Sequence, residues 1–197
     1  MTSDIQPKRY IVHPQKFALW LFILTVVMIF AGLTSAYIVH RGSLAETDRL
    51  VFDLPTVLWN NLALILVSSV TMQFAVWSLK KEERTRALLG LGMTFVLGIL
   101  FLFGQWAAFQ AMVESNLFFV DNERIDDSVS YFYIITGLHG LHIFAGLIVL
   151  LSSLILVITE RLGHRRDILT LEMASIFWHF LGLLWVYLFV FLKYTQN

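Results

Sequence analysis

Residues 129–159 read VSYFYIITGLHGLHIFAGLIVLLSSLILVIT, a run without one Asp, Glu, Lys or Arg. About 20 helical residues, rising about 1.5 Å each, cross a hydrocarbon core of about 30 Å. This run is longer than that. Lipid offers no water to a backbone N–H or C=O, so the segment is predicted to be a membrane-spanning helix. The same pattern returns at 17–39, 56–79, 88–113 and 173–192, each free of formal charge and each at least twenty residues long. We place the last span at about 173–194. The predicted fold is an all-α membrane protein, a bundle of five transmembrane helices forming one domain over 1–197. No stretch alternates apolar and polar residues in the manner of a barrel strand.

Composition agrees with that class. Of the 197 residues 58% are hydrophobic and only 14% are charged, with a mean hydropathy of +0.74. Soluble domains carry about 25% charged residues, which leaves a water-soluble core protein excluded. The first run is longer than the apolar core of a signal peptide, and no small-x-small site leads from it into a soluble domain, so it is expected to stay as a span. The chain has no Cys, which removes disulfides, thiolate metal sites and cysteine nucleophiles. A net charge of zero argues against attraction to nucleic acid.

Basic residues divide unevenly between the two sides. Lys8, Arg9, Lys16, Lys80, Lys81, Arg84, Arg86, Arg161, Arg165 and Arg166 fall on one side, against Arg41, Arg49, Arg124 and Lys193 on the other, ten to four. The positive-inside rule then predicts a cytoplasmic N-terminus and an outside C-terminus, as an odd number of spans requires. The third connection is acidic, with Glu114, Asp121, Glu123, Asp126 and Asp127 against Arg124. It reads first as a solvated loop, and alternatively as a surface for a basic soluble carrier such as a cytochrome c.

Within the spans, Ala31, Gly32, Ser35 and Ala36 form small-xxx-small pairs, and Gly137, Gly140 and Gly146 are expected to thin one side of the fourth span. Such residues let helix backbones approach where water-driven burial is not available. Trp20, Trp59 and Tyr194 stand where interfacial anchors belong.

Three of the six histidines lie inside spans: His139 and His142, three residues apart on one helical face, and His179 one turn before Gly182. As ligands, a His-x-x-His pair with a third His across the bundle would hold a metal, and a bis-histidine haem would need two facing helices. The spans contain no carboxylate to share such a site. The ordinary reading is that each imidazole bonds a neighbouring helix, a lipid headgroup or a partner subunit. Asn60, Asn61, Gln73, Gln105 and Gln110 read likewise as interhelical hydrogen-bonding groups. They are too neutral for a proton relay.

The run Tyr131 to His142, with Thr136-Gly137-Leu138-His139-Gly140-Leu141-His142 followed by Gly146, resembles the fourth-span signature of subunit III of haem-copper cytochrome c oxidases. The stretch Glu172 to Trp185, containing Phe177-Trp178-His179-Phe180, resembles the family's next signature. Leu24 to Gly32, Ser68 to Met72 and Gln105-Trp106 resemble its first, second and third spans more weakly. The chain looks like the five-span bacterial form. Val26, Ala108 and Gly182 depart from the pattern, standing where the family often carries a carboxylate. The loss at Val26 puts a proton-uptake role in doubt.

What the resemblance implies is a multi-pass subunit of a bacterial inner-membrane respiratory oxidase with no catalytic residue, cofactor or metal of its own. Haem and copper would sit in partner subunits I and II, and this chain would stabilise the catalytic subunit and bind lipid. His139, His142, His179 and Glu172 would then order helix, lipid or subunit contacts. A cytochrome c or quinol-oxidising complex in a supercomplex is a further partner to expect. The alternatives are subunit III of a quinol oxidase, a haem-binding membrane electron carrier using the histidines, and a small transporter. The last lacks the broken helices and intramembrane charge of a midplane site.

Overall fold

The computed structural model describes residues 14–45, 55–117, 127–159 and 164–195, without the side chains of 164–167. Lys8, Arg9, Arg49, Arg161 and the acidic stretch Asp121, Glu123, Arg124 and Asp126 lie outside the described residues, as do the side chains of Arg165 and Arg166. Among the described residues there are five helices: α1 (Pro14–Ser43), α2 (Val57–Lys80), α3 (Arg84–Glu114), α4 (Ser128–Thr159) and α5 (His164–Thr195). They contain 24 to 32 residues, about 36–48 Å of helix, and all five are long and apolar enough to cross a membrane. All but α2, which matches its charge-free stretch in length, outrun theirs. α5 differs most, beginning at His164 rather than near 173 and drawing the backbone of Arg165 and Arg166 out of the expected loop. Helical hydrogen bonding continues past the hydrocarbon, where water tolerates charge.

Among the described residues, α2 packs on α3, α3 on α4, α4 on α5 and α5 back on α2, closing a ring of four. α1 stands outside that ring and touches α4 and α5 alone. It presents one stripe, Ile23, Val26, Phe30, Thr34 and Tyr37, all buried, at the three- and four-residue steps of one helical face. Tyr37 meets Tyr131 and Phe191 edge-on, with ring centroids 5.5 and 5.6 Å apart. Thr34 Oγ1 lies 3.1 Å from the Tyr187 hydroxyl. The small residues Ala31, Gly32, Ser35 and Ala36 are exposed, and nothing lies within 4 Å of a Cβ added at Gly32. Among the described residues it is the bulky aromatic stripe, not this small-residue face, that packs α1 on the ring.

α2 and α3 form the tightest pair. At Gly90 an added Cβ would stand 3.0 Å from Cβ of Ala75, and at Gly104 it would collide with Asn61 Oδ1. Their turn is a Schellman motif: Glu83 N–H bonds Ser78 O at 2.9 Å and Glu82 N–H bonds Leu79 O at 3.0 Å, with Glu82 at φ 63°. α3 ends the same way. Leu117 N–H reaches Met112 O, Asn116 N–H reaches Val113 O, and Asn116 has φ 59°. In α4 the expected thin side shrinks to one position. Gly146 is pressed by Leu181 and Trp178, whereas Gly140 has nothing within 4 Å.

The outer surface is apolar all round, from Phe17, Leu24 and Met28 on α1 to Leu183 and Val190 on α5. A soluble monomer seldom exposes a contiguous apolar patch beyond a few hundred Å², whereas lipid requires one. Trp20, Trp59 and Tyr194 are exposed by 59%, 52% and 83% near helix ends. Lys193 Nζ sits 4.5 Å above the Trp59 ring.

Candidate functional site

The ring is centred on Trp178 of α5. Its indole N–H donates to Ser68 Oγ of α2 at 3.0 Å. The far edge of its ring fills the space left by Gly98 of α3, where a Cβ would come within 2.6 Å, and its flank meets Gly146 of α4. One side chain therefore touches all three other helices. Gly182, four residues on, faces α2, where a Cβ would stand 3.2 Å from Ser69 Oγ. A side chain there would press on the Ser69 hydroxyl, which would have to turn aside.

Two of the three intramembrane histidines share a neighbour, Phe30 of α1, and the third stands apart. His139 is fully buried, stacked on Trp185 at 5.0 Å and edge-on to Phe101 and Phe30 at 5.9 and 6.3 Å. Neither of its ring nitrogens has a hydrogen-bond partner. His142, one turn further, lies against Phe30 of α1 at 5.6 Å, and its Nδ1–H donates to Leu138 O of its own helix at 2.8 Å. His179 is half-buried at the α2–α5 interface and donates from Nε2 to Gln73 Oε1 at 3.3 Å. Among the described residues no group of three or more His, Cys, Asp or Glu could hold a metal ion. The rings of Trp185, Phe101 and Phe30 crowd round His139.

Glu172 lies at the end of the bundle where α1 begins. One carboxylate oxygen accepts from Lys16 Nζ of α1 at 2.9 Å and the other from Lys80 Nζ of α2 at 2.7 Å. A single carboxylate thus ties three helices together. At the same end the Arg84 guanidinium donates to the carbonyl of Val157, linking α3 to α4.

The neutral polar residues divide. Gln73 finds His179, while Asn60 and Gln110 are exposed. Asn61 and Gln105, expected to bond a neighbouring helix, are buried with no partner. Trp178 and Trp185 went unmarked as packing centres in the sequence, although a Trp spaced seven residues from another on one span was a usable signal. A shallow groove at the far end of α3, lined by Trp106, Phe109, Gln110, Val113 and Glu114, stands apart from the histidines.

Residues 7–196 match the family model described as cytochrome c oxidase subunit III. The chain belongs to that family. Relatives of both donor types are similar to it. The cytochrome bo(3) ubiquinol oxidase subunit 3 of Pseudomonas aeruginosa is 30% identical over 88% of this chain and 81% of its own length. The cytochrome c oxidase subunit 3 of Synechocystis sp. is 30% identical over 90% of this chain and 75% of its own. The probable quinol oxidase subunit 3 of Staphylococcus saprophyticus is 29% identical over 88% and 85%.

Proposed function

We propose that this chain is the non-catalytic subunit III of a haem-copper terminal oxidase, a cytochrome c oxidase, in which it stabilises the catalytic subunit and binds membrane lipid. The observation that carries this reading is the family match over nearly the whole chain. An interior in which no three ligand side chains converge among the described residues supports it. Haem and copper belong to subunits I and II, and the oxidase as a whole transfers electrons to oxygen. The ten-to-four division of basic residues supports a cytoplasmic N-terminus in a bacterial inner membrane.

A second donor is favoured by a specific observation: the Pseudomonas and Staphylococcus relatives carry quinol-oxidase names. Purification of the tagged chain in mild detergent tests both versions. The expected complex contains haem, copper and a subunit II, and consumes oxygen with reduced cytochrome c. A complex that lacks a copper-bearing subunit II and oxidises quinol directly establishes the second version. Recovery without any haem protein overturns both.

A further inference from the structure

Among the described residues, the buried side-chain polar atoms without a partner belong to four residues: Asn61, Gln105, His139 and Trp185. Each comes from a different helix of the ring, α2, α3, α4 and α5 in turn, and none is more than 3% exposed. They gather around Phe101. The Phe101 ring lies 5.1 Å from Trp185 and 5.9 Å from His139. Gln105 is one helical turn beyond Phe101 on the same buried face of α3, and Asn61 abuts Gly104 beside it. Buried polar groups are costly unless hydrogen-bonded, and here the orphaned groups share one region of the ring, toward the end where α5 finishes.

We infer that Asn61, Gln105, His139 and Trp185 form an internal binding site for water, a small hydrogen-bonded cluster enclosed by the four-helix ring. The chemistry of the side chains selects that ligand. Two amide NH2 groups, the indole N–H and one imidazole nitrogen donate, while two amide oxygens and the second imidazole nitrogen accept. A cation would leave the donors unmatched, and an anion would leave the acceptors unmatched. Water answers both, and an internal water ordinarily makes about three hydrogen bonds to such groups. The amide orientations follow the water rather than fix it.

The test is a density map of the intact purified complex, at a resolution where ordered water is visible. The expected result is non-protein density within hydrogen-bond distance of two or more of the four side chains, bounded by Phe101. Side chains turned to bond one another, with no such density, would overturn the proposal. The Gln105→Leu complex gives a second reading. Loss of the density next to position 105, with the His139–Trp185 stack retained, supports the site, and density unchanged at full strength overturns it. If that variant does not assemble, the map of the unaltered complex still decides.

Discussion

Trp178 shows what one residue decides in this bundle. It is fully buried, donates to Ser68 and fills the hollows opposite Gly98 and Gly146. Trp178→Phe removes the hydrogen bond and leaves space that rigid helices cannot close. Detergent-solubilised thermal unfolding is expected to show a loss of about 1–3 kcal/mol. His142 works at the α1 contact through Phe30. His142→Ala is expected to weaken assembly by about 0.5–1.5 kcal/mol, the scale of an aromatic pair, while turnover per assembled complex stays near that of the parent, as activity normalised to haem would show. The cost of an imidazole in lipid made an inward-facing histidine legible in the sequence. Both His139 and His142 do meet Phe30 of α1 from one helical face, but it was not legible that His139 would be wholly buried and His142 only partly, because that depends on where α1 docks.

Among the elements, α1 is the one held from outside. Its anchors are the aromatic stripe and, at one end, the Lys16–Glu172–Lys80 triad. Both lysines are partly exposed, so each pair is worth about 0.2–1 kcal/mol. Glu172→Gln is expected to lower Tm by a few degrees at low ionic strength, with the difference shrinking as salt screens the pairs. A calorimetric scan at two salt concentrations checks both parts. Five charge-free runs made five helices readable. The ends were not, since α5 carries Arg165 and Arg166 in its first turns. The small-residue stripe of α1 pointed to close packing that the described residues do not make. Periodicity identifies a face and leaves its partner open.

At the scale of the whole molecule, a ring of four with one helix docked outside it has its two ends distinguished by charge. Because the chain has no cysteine, single cysteines report sidedness without background. Glu82→Cys, in the α2–α3 turn, is expected to be labelled only from the cytoplasmic face of intact cells, and Ser43→Cys only from outside. The reverse pattern would contradict the proposed orientation. Membership of the subunit III family was legible in two motifs on α4 and α5. The electron donor was not, because a quinol-oxidase relative and a cytochrome c oxidase relative are each 30% identical to this chain. The central claim is that this chain scaffolds chemistry carried by its neighbours. Its most direct test is to dissociate the chain from its purified complex and record haem absorbance in both fractions. The expected result is a Soret band that stays wholly with the remaining subunits. A band that travels with this chain, and disappears in His139→Leu, would contradict the claim.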